Sequence, residues 1–280
     1  LLGGPHDSLM KESQCQWHLT VRQFQSIGWQ KVANRGCIKG WTRMAHLPPA
    51  KGYLVDLDGT LIAGGAALPG AEELVGALGE RMAVVSNDSE HVPEQLSRLL
   101  ARVRLRIPPE RIVLAGAAAI DTAARDFAGG RLLLLASGAL CTYARRKGLR
   151  LVTGDPDVVV VARDRQFSYA KLEAAANALR AGAALVVANP DITHPGPRGV
   201  VPETGALLGA ILACAGPVPF RVIGKPEPEL FHRALAVLGV AARDALMIGD
   251  NAQTDGLGAQ RLGIRYLDAS GGLSPKAARP

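Results

Sequence analysis

The 280-residue sequence has few cysteines, few aromatic residues and no long apolar run. Its four cysteines (Cys15, Cys37, Cys141, Cys214) are far apart and form no Cys-x-x-Cys pair, which argues against zinc and against a disulfide framework. No apolar run approaches the roughly 18 residues that span a bilayer, and the N-terminus lacks the pattern of a secretory signal. We therefore expect a protein of the reducing cytoplasm with no membrane partner.

Strong positive charge is also missing from most of the chain. The formal net charge is +7, and residues 1–50, with six Lys/Arg against two Asp/Glu, supply +4 of it. The remaining 230 residues carry only +3, too little for the basic surface of a nucleic-acid-binding domain. The charge distribution therefore predicts no nucleic-acid partner.

The first 43 residues differ in composition from the rest. The segment holds all three tryptophans (Trp17, Trp29, Trp41) and two of the four cysteines, and Met44 precedes the first predicted strand closely. We expect residues 1–43 to be an extension outside the fold. The alternative is a short helical appendage that packs its tryptophans on the body.

From residue 50 onward, short apolar runs alternate with helical patterns, which predicts an α/β fold with a doubly wound, Rossmann-like parallel sheet. Gly129-Gly130 predicts a hinge, beyond which a second α/β series begins. The first series then resumes at Arg221–Lys225. The predicted strands are 53–56, 82–86, 112–115, 132–135, 158–161, 185–188, 221–225, 245–248 and 264–267. The predicted helices are 69–80, 92–104, 117–127, 138–147, 168–181, 204–214, 228–239 and 254–262.

Four of the predicted strands end in polar residues, namely Asp56/Asp58, Ser86/Asn87, Lys225 and Asp250/Asp255. Each ending alone is compatible with an ordinary turn or helix cap, but ligands of open α/β sheets bind at the carboxyl ends of strands. Two unit charges about 4 Å apart repel by ~4 kcal/mol at an effective dielectric near 20, so clustered acids favour a bound cation. All-oxygen ligation together with a substrate phosphate is typical of Mg²⁺.

Three common motifs are absent from the sequence. It contains no Gly-x-x-x-x-Gly-Lys-Ser/Thr loop and no Gly-x-Gly-x-x-Gly after a strand. A calcium loop counted from Asp56 would need Gly at its sixth position, which is Leu61. These absences argue against a nucleotide-driven motor, a dinucleotide oxidoreductase and an EF-hand.

Four segments together resemble the ordered motifs of the haloacid-dehalogenase (HAD) superfamily of phosphohydrolases. They are Asp56-Leu-Asp-Gly-Thr-Leu61, Val85-Ser-Asn87, Gly224-Lys-Pro226 and Gly249-Asp-Asn-Ala-Gln-Thr-Asp255. Gly64-Gly65 followed by Leu68-Pro-Gly-Ala71 resembles the subfamily of phosphoglycolate, pyridoxal-phosphate and 4-nitrophenyl phosphatases. Ser86 lies 28 positions after Asp58, whereas Lys225 lies 139 positions after Ser86, which leaves room for a large cap between the second and third motifs.

The resemblance implies a Mg²⁺-dependent phosphatase of a small phosphorylated metabolite. Asp56 would be the nucleophile that forms an aspartyl-phosphate, and Asp58 the general acid and base. Further roles are implied as follows: Ser86, Asn87 and Lys225 bind the phosphoryl group; Asp56, Asp250 and the Asp58 carbonyl hold Mg²⁺; Asp255 and Asn251 lie behind these ligands. Asp88 stands where many relatives have Asn, and an extra acid there weakens phosphate binding unless it points away.

The resemblance also implies a division of the chain. Residues 44–127 and 216–280 would form the catalytic core, and residues 128–215 an α/β cap that selects the substrate. In the cap, His194 resembles a histidine that contacts substrate, although a loop histidine can also be simply solvated. Caps of this kind often pair subunits, so a homodimer through the cap is a further expectation.

Two other functions use the same framework. A phosphotransferase or mutase would differ only in the acceptor of the phosphoryl group. A catalytically silent metabolite-binding regulator would have lost a nucleophile or metal acid, whereas Asp56, Asp58, Lys225 and Asp250 are all present.

Overall fold

The computed structural model describes residues 37–38, 47–196 and 199–271. The strands are β1 (Cys37–Ile38), β2 (Gly52–Val55), β3 (Ile62–Ala63), β4 (Ala66–Ala67), β5 (Met82–Ser86), β6 (Ile112–Leu114), β7 (Arg131–Leu135), β8 (Arg150–Leu151), β9 (Val158–Val161), β10 (Ala184–Val187), β11 (Thr193–Gly196), β12 (Gly199–Pro202), β13 (Arg221–Val222), β14 (Ala245–Gly249) and β15 (Arg265–Asp268). The helices are α1 (Ala71–Leu78), α2 (Pro93–Arg102), α3 (Ala115–Asp126), α4 (Gly138–Arg146), α5 (Tyr169–Arg180), α6 (Thr204–Ala215), α7 (Glu229–Leu238) and α8 (Leu257–Arg261).

Six parallel strands form the first sheet, in the order β1-β15-β14-β2-β5-β6. Successive residues of a strand face opposite sides, so Tyr53 and Val55 pack with α1 and α2, whereas Leu54 packs with α3 and α7. Because both faces are covered, the strands are continuous apolar runs. The predicted doubly wound α/β fold is confirmed.

A second parallel sheet contains five strands in the order β13-β10-β9-β7-β8. All four residues of Val158–Val161 are fully buried. Helices α5 and α6 cover one face, whereas α3 and α4 pack against the other. Since α3 also packs on the first sheet, one apolar cluster continues from one sheet to the other.

Two sequence-based assignments differ from the structure. Arg221–Val222 does not resume the first sheet but pairs in parallel with Val186 and Val187 of the second. Within the predicted loop 189–199, residues 193–196 form an antiparallel hairpin with residues 199–202. The two-residue pairing of Arg221–Val222 and the hairpin inside the loop contain too little periodicity for their pairing partners to be read from the sequence.

The predicted extension 1–43 lies outside the described residues, apart from Cys37–Ile38, which pairs with β15 as an outermost strand of the first sheet. The boundaries of the core and cap stay predictions. Among the described residues, no helix has the length and apolar character needed to cross a membrane.

Candidate active site

The site lies where β2 ends and begins with Asp56, a buried carboxylate with 6% exposure. Thr60 Oγ1 donates a hydrogen bond to Asp56 Oδ2 at 3.2 Å. Gly59, with φ of 82°, makes the turn that leaves Asp58 at the solvent-exposed rim. A side chain at position 59 would also collide with the Asp250 carboxylate, so glycine brings these two loops into contact.

Lys225 follows β13 of the second sheet, and its side chain extends to Asp56. Its ammonium group is buried and donates hydrogen bonds to Asp56 Oδ1 and, at 2.7 Å, to Asp255 Oδ1. Burial lowers the pKa of Lys225, but the charges of Asp255 and Asp56 outweigh it and raise that pKa above its ordinary value. Lys225 is therefore a permanent cation between two acids.

Asp56, Asp250 and Asp255 form a cluster in which one carboxylate oxygen from each residue lies within 4.8 Å of the other two. Burial and the Asp56 charge raise the pKa of Asp250 to about 6. Burial raises the pKa of Asp255 to about 7, against the lowering effect of Lys225. Three acids facing one ammonium leave a negative excess, and an oxygen-only set of this kind suits a hard divalent cation.

The pKa of Asp58 is also raised. Partial desolvation of this rim carboxyl by the neighbouring groups, followed by the charges of Asp56 and Asp88, raises its pKa to about 6. A carboxyl group with this pKa exchanges a proton readily near neutral pH.

The segment after β5 carries Ser86, Asn87 and Asp88. Ser86 Oγ accepts a hydrogen bond from Asp88 N at 3.0 Å, and Oγ can still donate. Both amide hydrogens of Asn87 are used, since Nδ2 donates to Asp191 Oδ2 at 3.0 Å and to Lys225 O at 3.1 Å. The Asn87 side chain thus contacts protein groups, and its predicted contact with a phosphoryl oxygen stays untested.

Asp88 turns toward its own loop. Its Oδ1 accepts from the main-chain N–H groups of Glu90 and His91, both at 2.8 Å, and its Oδ2 lies 2.7 Å from His91 Nδ1. Burial raises the pKa of Asp88, but the hydrogen bonds and charge of His91 outweigh it and hold the pKa below its ordinary value. The carboxylate is therefore satisfied locally.

His194 lies on β11, and its Nδ1 is 2.6 Å from Glu203 Oε1. Glu203 also pairs with Arg163 Nη1 at 3.2 Å, and the same nitrogen pairs with Glu90 Oε2 at 3.2 Å. His194 is near enough to Asp58 that its positive form favours the ionised carboxylate. Asn251 instead lies outside the carboxylate cluster, where its exposed side chain accepts from Gln253 N at 2.9 Å.

Sequence reasoning missed three side chains of this region: Thr60, Asn189 and Asp191. Asn189 and Asp191 open the loop in which only His194 had been selected. The segment Asn189-Pro-Asp191 directly after a buried strand was the available signal, because such a position lies at the ligand-binding edge of a parallel sheet.

Comparison with known proteins identifies the family of this chain. The sequence profile of the haloacid dehalogenase-like hydrolases matches residues 50–263. The chain is similar to a dihydroxyacetone phosphatase of Corynebacterium glutamicum, with 32% identity over 228 residues, which are 80% of this chain and 82% of that protein.

Solved structures agree with the sequence comparison. A p-nitrophenyl phosphatase from Archaeoglobus fulgidus superposes with a TM-score of 0.74 at 28% identity, over 79% of this chain and 86% of that one. A glycerol phosphate phosphatase from Mycobacterium tuberculosis, in complex with magnesium, superposes with a TM-score of 0.73 at 32% identity, over 78% of this chain and 68% of that one. The chain therefore belongs to the haloacid dehalogenase-like hydrolase family, and it is a phosphatase of that family.

Proposed function

We propose that this protein hydrolyses the phosphate monoester of a small phosphorylated sugar or similar metabolite, with Mg²⁺ and through an aspartyl-phosphate on Asp56. The observation that carries the proposal is the pair of carboxyl groups at the end of β2. Asp56 is buried beside the Lys225 ammonium, whereas Asp58, two positions later, is at the rim with a pKa raised to about 6.

In the first step a carboxylate oxygen of Asp56 attacks phosphorus, and the bond between phosphorus and the ester oxygen breaks. Asp58 donates its proton to the leaving alkoxide, which departs as an alcohol. In the second step Asp58, now ionised, accepts a proton from water as that water attacks phosphorus. Inorganic phosphate leaves, and the Asp56 carboxylate is regenerated.

Phosphoryl binding is assigned to Ser86 and Lys225. The Ser86 hydroxyl has a hydrogen to donate, and the Lys225 charge opposes the negative charge that develops on the phosphoryl oxygens. The contacts of the Asn87 amide favour a positioning role for that side chain.

The residues present fit a magnesium ion. Asp250 packs against the turn at Gly59, so the carboxylates of Asp56 and Asp250 and the carbonyl of Asp58 would hold it, with Asp255 behind them and the main-chain N–H of Asn251 donating to Asp255. When bound, the ion would neutralise negative charge on the phosphoryl group and reduce repulsion among the acids. The similar chain crystallised with magnesium supports this choice.

A small, polar substrate is supported by the names of two relatives, a dihydroxyacetone phosphatase and a glycerol phosphate phosphatase. Within residues 128–215 the aromatic residues are only Tyr143, Phe167 and Tyr169, which offers little surface for stacking a ring. The His194–Glu203 pair would present a polar contact to the alcohol part of the substrate.

A phosphate-release assay tests the proposal. Wild-type protein with Mg²⁺ is expected to release inorganic phosphate from 4-nitrophenyl phosphate and from members of a panel of small sugar and polyol phosphates. Asp56→Asn should reduce the rate by at least about a thousandfold, because the amide is a poor nucleophile. Chelation of the metal should also abolish release.

The control is the melting temperature of Asp56→Asn, which should stay close to that of the wild type. Wild-type rates in Asp56→Asn would contradict the mechanism. Transfer of the phosphoryl group to a second metabolite, without free phosphate, would favour the phosphotransferase alternative instead.

A further inference from the structure

We propose that Asp191, on the loop after β10, is a positioning residue that holds Lys225 in its catalytic place by fixing the amide of Asn87. The side chain of Asp191 contacts Asn87 rather than the carboxylate cluster. Its role depends on three linked contacts: Asn87 with the Lys225 main chain, Asp191 with Asn87, and the loop with its surroundings.

The first contact is a two-point clamp. Asn87 Oδ1 accepts a hydrogen bond from Lys225 N at 2.7 Å, and Asn87 Nδ2 donates one to Lys225 O at 3.1 Å. Gly224 lies so close to Asn87 Oδ1 that a Cβ there would approach it within 2.6 Å. The Asn87 amide thus holds the main chain of Lys225 at two points, directly at the start of the lysine side chain.

The second contact holds the clamp. Asp191 Oδ2 accepts the remaining Nδ2 hydrogen of Asn87 at 3.0 Å. Because Asp191 Oδ2 is the acceptor in this contact, the donor end of the amide faces Asp191. The other end is then directed at the main-chain N–H of Lys225.

The third set of contacts fixes Asp191 itself. Its main-chain N–H donates to Asn189 Oδ1 at 3.1 Å, and its carbonyl accepts from Gly205 N at 2.7 Å. Asn189 is buried, and its Nδ2 donates to the Asn87 carbonyl at 2.6 Å. The Asp191 carboxylate is therefore presented from a rigid segment, as positioning requires.

This role rests on the proposed function, because Lys225 is taken to neutralise charge on the phosphoryl group. The Lys225 ammonium has to reach Asp56, and a displacement of about 1 Å at a reacting centre can cost about a hundredfold in rate. Loss of Asp191 should therefore reduce kcat more than it raises KM.

The test compares steady-state kinetics of Asp191→Ala, Asp191→Asn, Asn87→Ala and the Asp191→Ala/Asn87→Ala double variant, with 4-nitrophenyl phosphate and saturating Mg²⁺. Asp191→Ala should lower kcat about tenfold or more, with KM changed less than about threefold. Asp191→Asn should recover most of the rate, since its amide oxygen accepts the same hydrogen bond. The double variant should be no slower than Asn87→Ala alone.

Three results would each overturn the positioning role. They are a kcat of Asp191→Ala within twofold of the wild type, an Asp191→Asn variant as slow as Asp191→Ala, and a double variant whose losses multiply. If Asp191→Ala does not melt cooperatively, Asp191→Leu replaces it with the same expected result, because it keeps volume but offers no acceptor.

Two controls keep the interpretation specific. Glu173→Ala removes an exposed carboxylate from helix α5, which covers one face of the second sheet, and should leave kcat unchanged. Wild-type protein that releases no phosphate would refute the proposed function, whereas an active wild type with an unaffected Asp191→Ala would refute only the positioning role.

Discussion

At the scale of single residues, Lys225 determines the charge balance of the site. Its ammonium contacts Asp56 and Asp255, two buried acids that would otherwise repel each other. A buried ion pair contributes little net stability, but loss of one partner leaves an uncompensated charge at a cost of about 3–5 kcal/mol. Replacement of Lys225 thus affects both folding and activity, so activity losses at this position need a stability control.

The Asp88–His91 pair leads to a pH prediction at the same scale. The hydrogen bond that His91 Nδ1 donates to Asp88 raises the pKa of His91, against the lowering effect of burial, so this contribution is complete below the unfolded-state pKa near 6.5 and is lost at higher pH. The pKa of Asp88 is lowered, so the stability that its carboxylate contributes is present above roughly pH 4 and is lost in acid. The pair should therefore stabilise the fold most between about pH 4 and 6.5.

His91→Gln should accordingly lower the free energy of unfolding by about 1 kcal/mol more at pH 5.5 than at pH 9. Urea denaturation at the two pH values measures this difference. His232→Gln, at an exposed position of α7, is the matched control and should show no such dependence. An equal loss at both pH values would show that His91 contributes by packing alone.

At the scale of elements, the site depends on how closely α6 approaches the loop after β10. A Cβ at Gly205, near the start of α6, would collide with the main-chain oxygens of Pro190 and Asp191. Main-chain oxygens cannot rotate away as a flexible side chain can. Glycine at this position therefore allows the contact that presents Asp191 to Asn87.

Gly205→Ala should displace this loop and lower the free energy of unfolding by about 1–3 kcal/mol, the usual cost of overpacking. It should also lower kcat, because Asp191 would move away from Asn87. Urea denaturation and steady-state kinetics measure both effects.

Gly209→Ala is the matched control in the same helix, since no atom lies within 4 Å of a Cβ added there. Alanine at this exposed position should stabilise the helix by about 0.5–1 kcal/mol and leave kcat unchanged. Similar behaviour of the two variants would contradict the packing argument.

At the scale of the whole molecule, the two sheets are joined by α3 and by charged side chains around it. Asp121 of α3 accepts hydrogen bonds from Tyr143 Oη of α4 and from Arg233 Nη1 of α7, both at 3.0 Å, and pairs with Lys147 at 2.8 Å. Together with the continuous apolar cluster, these contacts hold the sheets in the arrangement that brings Lys225 to Asp56.

A chain that begins at Met44 tests the predicted extension at this scale. Although Cys37–Ile38 pairs with β15, residues 1–43 differ in composition from the rest of the chain, and Met44 lies just before the strand Gly52–Val55. The shortened chain should therefore melt within a few degrees of the full chain and keep its rate of phosphate release. Loss of cooperative melting would show that residues 1–43 are part of the fold.

Much of the fold was predictable because the information is local, and the same segments supply the candidate site residues. The apolar runs and their polar endings identified the strands and Asp56, Asp58, Asp250 and Asp255, and the spacing of these segments indicated the family. Strands of two residues, such as Arg221–Val222, carry no readable period, and their sheet was assigned wrongly.

The sequence by itself determined the α/β class and the reaction class, since both follow from short segments whose order and chemistry can be read directly. Only the tertiary structure decided the partners of Asn87, because Asp191 lies 104 positions away and Lys225 138. Such contacts depend on how the strands of two sheets converge, and no local pattern records that convergence. The carboxyl pair Asp56 and Asp58 thus indicates the reaction, and the fold supplies the contacts that join Asn87 to Asp191 and Lys225.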